Sequence, residues 1–231
     1  MMTAKNPFPF LFGAAIHLYS VIASPIALMA QDQWTNVYKE SAWKERDTWQ
    51  RAPDLLQRLH VSASGQVADI GCNEGYLTVK LAKILNSGRV YAVDVSASKL
   101  TLLKEHLVQR GIENVRVVQG DYDDPKLPAN QLDGVVILDT YHEMKDHDKI
   151  LMHVKDALKA NGRLVICEPI AESRRTLSRS EQEAKHEIGI KFVEEDLVRA
   201  GFKIVERQDP FVDRKAVKGD VMWMLVAEKQ K

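Results

Sequence analysis

The chain has 231 residues, enough for one sizeable core and too few for two comfortable domains. Lys plus Arg equals Asp plus Glu at 32 each, which argues against a nucleic-acid binder that works by neutralising phosphates. Cys72 and Cys167 lie in apolar runs and read as buried free thiols, too few and too far apart for a zinc cluster, so no metal site is expected.

The first element is apolar. From Asn6 to Gln31 there is no Asp, Glu, Lys or Arg, and FLFGAAIHLYSVIASPIALMA follows a lone Lys5. A bilayer core needs about 20 apolar residues as helix, so the run is long enough to enter one. A charged start, an apolar middle and small residues near Ala27 and Ala30 also resemble a secretory signal. Three readings stay open for residues 1–31: a cleaved signal peptide, a membrane anchor, or a helix packed on the domain. The first two imply export or membrane association through residues 6–31. A cytoplasmic site is the alternative. Residues 32–231 are read as the functional domain, opening with a helical cap.

That cap, DQWTNVYKESAWKERDTWQRAPDLLQRLHV, is amphipathic and reads as one or two helices interrupted near Pro53. Strands and helices then alternate. GQVADIG is strand one; YLTVKLAKILN is a helix closed by Ser87-Gly88; RVYAVDV is strand two. SASKLTLLKEHLVQRG is a helix with Ser96 as N-cap and Gly111 just past its end. NVRVVQGD is strand three and LDGVVILDT strand four. DHDKILMHVKDALKANG reads as a helix ending at Asn161-Gly162, and RLVICEP as strand five. SRSEQEAKHEIGIKFVEEDLVRAG is helical in two pieces around Gly189. FKIVERQD and DVMWMLVAEK are strands six and seven. This spacing predicts a Rossmann-like, doubly wound α/β fold: a seven-stranded, mostly parallel sheet, three layers αβα, with an antiparallel last strand.

The most informative stretch runs from Val67 to Tyr76. A buried strand ends and a glycine-containing loop opens a helix, which turns backbone N–H groups toward a ligand. Asp69, Gly71, Cys72, Asn73 and Gly75 form this loop. Its spacing is G-x-x-x-G, not the G-x-G-x-x-G that seats a pyrophosphate. An acid at Asp69 suits the ammonium of S-adenosylmethionine, a cofactor without pyrophosphate. Asp94, followed by Val95, ends strand two, where a carboxylate can accept both ribose hydroxyls. Gly120, Asp121 and Tyr122 end strand three, facing the adenine. Asp139 ends strand four, next to the reaction centre.

VADIGCNEGYLTVKLA, VYAVDVS, LDGVVILDTYHEM and GRLVICEPI resemble the successive motifs of class I S-adenosylmethionine-dependent methyltransferases. ERDTWQRAPDLLQRLHVSASGQVADIG is similar to a bacterial small-molecule group in which a Trp-Gln-Pro-like entry helix precedes strand one. HEIGIKFVEEDLVRAGFKIV is similar to that group's last helix and strand. The resemblance runs from about Trp34 to Lys229. It implies the cofactor strongly and the acceptor hardly at all. Two positions depart from the pattern: Asn73 where the family usually has Gly, and Ala52 where it often has a basic residue before Pro53.

Methyl transfer needs a base only if the acceptor must lose a proton. The candidates past the strand ends are His142, Tyr141, Glu168 and His186, with His142 first because an imidazole titrates near neutral pH. Glu168 can line the acceptor pocket or merely satisfy backbone groups. The helix bearing His186 can fold over the same edge as a lid. His147 and His153 read as solvated or helix-face residues. Two buried thiols argue against arsenic methylation, and Asp139-Thr140-Tyr141-His142 lacks the N-P-P-Y ending of amino-methylating nucleic-acid enzymes. A small-molecule acceptor is expected, O-, C- or N-methylated. A non-catalytic S-adenosylmethionine-binding protein and an NAD-dependent oxidoreductase are the alternatives. Oligomeric state is not legible.

Overall fold

A computed structural model describes residues 40–229, so the apolar segment 6–31 and its three readings lie outside the described residues. The chain enters through α1 (Glu40–Asp47) and α2 (Ala52–Gln57), with Pro53 in the first turn of α2, where a missing N–H costs nothing. Then follow β1 (Gln66–Ile70), α3 (Tyr76–Ile84), β2 (Arg89–Asp94), α4 (Ala97–Gln109), β3 (Val115–Gln119) and β4 (Leu132–Leu138). A 3₁₀ turn at Tyr141–Glu143 leads into α5 (His147–Ala157) and β5 (Leu158–Ile170). The chain closes with α6 (Arg179–Glu183), α7 (Ile190–Arg199), β6 (Phe202–Asp213), α8 (Lys215–Lys218) and β7 (Val221–Lys229).

The strands form one sheet in the order β3-β2-β1-β4-β5-β7-β6. β1 to β5 pair in parallel, and β7 is antiparallel to both β5 and β6, as the sequence predicts. The order reverses between β1 and β4, which opens a crevice at their carboxyl ends. Both faces are covered, which is why the central strands read as unbroken apolar runs. Val135, Ile137, Trp223 and Leu225 pack against α5 and α7 on one face. Val136, Leu138, Met222 and Met224 pack against α2 and α3 on the other. Cys72 and Cys167 are buried free thiols, and burial raises the pKa of both.

Three boundaries differ from the expectation. α5 stops at Ala157, and Leu158 already pairs with Leu132; the residues to Gly162 form an irregularity in β5, not the end of a helix. β6 continues past Pro210 to Asp213, tolerated because it is the sheet's edge and shifts register there. His186 lies in the turn between α6 and α7, not on a helix. Ser96 caps α4 through its side chain, and Gly111 takes φ 60° after that helix, as expected.

Candidate active site

The loop after β1 is tied to β2. The amides of Gly71 and Cys72 both donate to the Val93 carbonyl, at 2.8 and 3.0 Å. Two glycines are sterically required. Gly71 has φ +75°, and a Cβ there would lie 2.1 Å from the Thr140 side chain. Gly75 has φ +96°, and its Cβ would meet Leu103 of α4 at 2.3 Å. Asn73 takes φ 51°, a conformation asparagine tolerates better than most residues, so the loop keeps its path without the usual glycine. Its amide donates to Asp94 Oδ2 at 2.9 Å, while the Ser96 amide donates to Oδ1, also at 2.9 Å. Two amides therefore orient the Asp94 carboxylate, and its remaining lone pairs are available to a ligand.

Asp94 stands in the wall of a cavity of about 270 Å³ at the carboxyl ends of the strands. Ile70, Val93, Val95, Pro125, Met144 and Ile150 supply apolar surface suited to a flat ring, and Gly71, Gly120, Tyr122 and Thr140 complete much of the rim. The charged groups of the wall are three carboxylates, Asp94, Asp121 and Glu143, with no Lys or Arg among the lining residues. That wall fits a cationic sulfonium with a ribose to anchor, and it would repel a pyrophosphate. The residues present thus fit S-adenosylmethionine and do not fit NAD. Asp121 is ion-paired with Lys126 at 3.0 Å, both exposed, so it can turn from that lysine to an adenine amino group at little cost.

Beyond Glu143 lies a second cluster. Glu168, fully buried at the end of β5, accepts the amides of Thr140 (2.6 Å) and Tyr141 (2.8 Å) through Oε1. Its Oε2 meets His142 Nδ1 at 2.5 Å. The buried carboxylate thus shapes the 3₁₀ turn and fixes the imidazole, turning Nε2 toward Glu143 Oε1 at 3.4 Å. Burial alone would lower the pKa of His142; the Glu168 hydrogen bond, with the nearby carboxylates of Glu168, Asp139 and Glu143, outweighs it and holds the pKa above the ordinary histidine value. On its far side Glu143 Oε1 meets His186 Nδ1 at 2.5 Å.

Several expected site residues stand elsewhere. Asp69 is buried behind the loop and accepts the Thr78 hydroxyl at 2.6 Å; burial raises its pKa to about 6. Cys72, Asn73 and Gly75 shape the loop but do not line the cavity. Asp139, in a left-handed conformation with φ 55°, faces Arg214 at 3.6 Å instead of the cavity. Tyr141 is withdrawn from the acceptor side: its hydroxyl donates to Asp196 at 2.9 Å inside the core, and burial with that acid raises its pKa. Glu168 holds backbone and imidazole and does not line the cavity. His147 is not solvated; its ring packs on Tyr141 and Nε2 meets the Tyr141 carbonyl at 3.0 Å.

The structure also brings in residues that the sequence does not single out. Thr140, Met144 and Ile150 line the cavity, and their only local signal is their position just past a strand end. Arg46 of α1 lies over the Tyr76 ring at 4.3 Å, and Arg214 lies over Trp49 at 5.6 Å. Nothing in ESAWKERD marks Arg46 out from its basic neighbour Lys44, since only folding decides which one turns inward.

A family profile described as a methyltransferase domain matches residues 62–225. The chain is 27% identical over 110 residues to an (S)-coclaurine N-methyltransferase of Thalictrum flavum, an alignment covering 48% of this chain and 30% of the relative. It is 25% identical over 138 residues to the demethylmenaquinone methyltransferase of Anoxybacillus flavithermus, covering 59% of this chain and 57% of the relative. The chain thus spans less than two thirds of the length of these curated relatives. Among solved structures, an Aquifex aeolicus S-adenosylmethionine-dependent methyltransferase superposes with a TM-score of 0.66 at 21% identity, covering 82% of this chain and 98% of that one.

Proposed function

The chain belongs to the class I S-adenosylmethionine-dependent methyltransferases, its family match spanning residues 62–225, and from that premise we propose that it methylates a small molecule carrying a hydroxyl or enol, such as a quinol. The cofactor, when bound, supplies an electrophilic methyl on a sulfonium. Asp94, Asp121 and the apolar slot between them bind and orient it, and Glu143 borders the side from which an acceptor would approach. Proximity and alignment can supply much of the rate. His142 takes the acceptor's proton at Nε2, while Glu168 holds Nδ1 and stabilises the imidazolium that forms.

One observation carries this reading: the His142–Glu168 pair stands beside Glu143, itself part of the cavity wall. A held imidazole with a pKa above the usual histidine value is suited to proton abstraction near neutral pH. The quinone and alkaloid enzymes among its relatives support a small acceptor. An apolar leader in residues 6–31 that exports or anchors the domain is part of the same proposal.

The test is transfer of labelled methyl to a panel of quinols, phenols and amines. We expect turnover on hydroxyl-bearing acceptors, and a His142→Ala variant should lose ~10²–10⁴-fold of it, the range for a missing general base. Turnover confined to amines and untouched by His142→Ala would contradict the acceptor class and the base together.

A further inference from the structure

The fold brings His186 to two consecutive residues with metal-ligand side chains, His142 and Glu143. One donor atom each from His142, Glu143 and His186 can be chosen so that all lie within 4.8 Å of one another. Glu143 Oε1 is the hinge, 3.4 Å from His142 Nε2 and 2.5 Å from His186 Nδ1. The two histidines also meet edge to face, ring centroids 6.0 Å apart.

Two features prepare the cluster for a ligand. Glu168 engages Nδ1 of His142, so with the proton there the Nε2 lone pair points outward. A carboxylate behind a histidine in this way fixes the tautomer and raises its basicity toward a metal. His186 occupies a left-handed position, φ 58°, in the turn after α6, a place where glycine carries no steric cost. The turn is pinned on both sides: the Glu187 amide donates to Gln182, and the Ile188 amide to Pro169 at the end of β5. This strained turn carries an imidazole to Glu143.

We propose that His142, Glu143 and His186 bind one first-row divalent cation, with zinc as the probe. Zinc–ligand bonds of about 2.0–2.1 Å place tetrahedral ligand atoms about 3.3 Å apart. His142 and Glu143 already stand at that spacing. His186 and Glu143 must part by under an ångström, and the His142 and His186 donors, within 4.8 Å of one another, must draw together; the side chains of His186 and Glu143 are exposed and can turn. Three protein ligands leave a fourth position open, the arrangement of catalytic zinc and not of structural zinc.

Because Glu143 also borders the cofactor cavity, a cation held there would stand beside the proposed acceptor side. A hydroxyl-bearing acceptor held there would lose its proton to water more readily; with the cation bound, Nε2 of His142 is a ligand, so the cation takes over the part that the imidazole plays as base in the metal-free chain. Its oxygen, or the ring carbon it activates, then forms the bond to the methyl carbon. The sulfur–methyl bond breaks with its electrons going to sulfur, and the cation changes no oxidation state. This role rests on the methyl-transfer reading; the binding of the cation does not.

The experiment is chelator-buffered equilibrium dialysis of the untagged full-length chain against zinc, without cofactor or acceptor, read by elemental analysis. We expect one zinc per chain. His186→Ala and Glu143→Gln, both at exposed positions, should each weaken binding at least 10-fold. Glu168→Gln should weaken it ~10–100-fold, the usual cost of losing the group behind a metal histidine. His153→Ala, a histidine outside the cluster, should leave zinc binding unchanged. Absence of stoichiometric binding, or binding that survives His186→Ala and Glu143→Gln, overturns the site. Titrating the parent chain with S-adenosylhomocysteine in parallel separates the two readings, since a parent that binds that ligand but no zinc refutes only the metal.

Discussion

The two halves of the crevice at the strand ends are built differently. The cofactor half is made from the backbone and from one carboxylate per strand end: the 71–75 loop bonds to its neighbour β2, and Asp94 is held by two amides. The half that we propose for the acceptor is made from side chains of three distant stretches, His142 with Glu143, Glu168, and His186, linked through the Glu168 and Glu143 carboxylates. Strand order alone dictates the first half. The second exists only once β5 and the turn after α6 have packed.

The largest effect we expect falls on the first half. Gly71→Val puts a β-branched residue at φ +75° and its Cβ against Thr140. Strain and overpacking together should cost roughly 2–6 kcal/mol and abolish cofactor binding. Urea unfolding checks this; an unchanged midpoint would show that the loop is not the rigid half of the site.

Asp69 supplies a pH test of the same half. Its pKa of about 6 in the folded chain lies above the 3.8 of an ordinary aspartate. Between those values the native state holds a proton that the unfolded chain releases. The stabilisation is complete below 3.8 and is lost as pH rises through about 6, a change of about 3 kcal/mol. Asp69→Asn, which can still accept the Thr78 hydroxyl, should flatten the dependence of stability on pH between about 4 and 6. Parallel curves for parent and variant would mean that Asp69 is not a buried acid.

This contrast explains what could be read from the sequence. The succession of strands and helices, the antiparallel β7, the Ser96 cap and the strand-end positions of Asp94 and Asp121 follow from local periodicity and turn residues. His142 was legible as a titratable group past a strand end. Its partner Glu168 was named with two roles open, lining a pocket or satisfying backbone groups; the second holds, and only packing that is not local decides between them. Tyr141 was misplaced for the same reason: one residue before His142, it turns into the core because Asp196 of α7 is there to receive its hydroxyl. His186 beside Glu143 had no local signal, since 43 positions separate them.

Tyr141 gives the smallest expected effect. Tyr141→Phe removes one hydrogen bond to an acid that Arg179 and Arg199 still hold, and should cost ~1–2 kcal/mol of stability. Turnover per folded molecule should be unchanged. A large loss of turnover would return Tyr141 to the acceptor half.

The central claim is that the carboxylate-walled cavity is the cofactor half of a methyltransferase site. Calorimetric titration of the full chain with S-adenosylhomocysteine and NAD in parallel, on the parent and on Asp94→Ala, tests it most directly. We predict binding of S-adenosylhomocysteine and none of NAD. Affinity should fall ~5–150-fold in Asp94→Ala, the weight of ~1–3 kcal/mol in lost hydrogen bonds to a charged group. Equal affinity in a folded Asp94→Ala protein, or binding of NAD in place of S-adenosylhomocysteine, would contradict it.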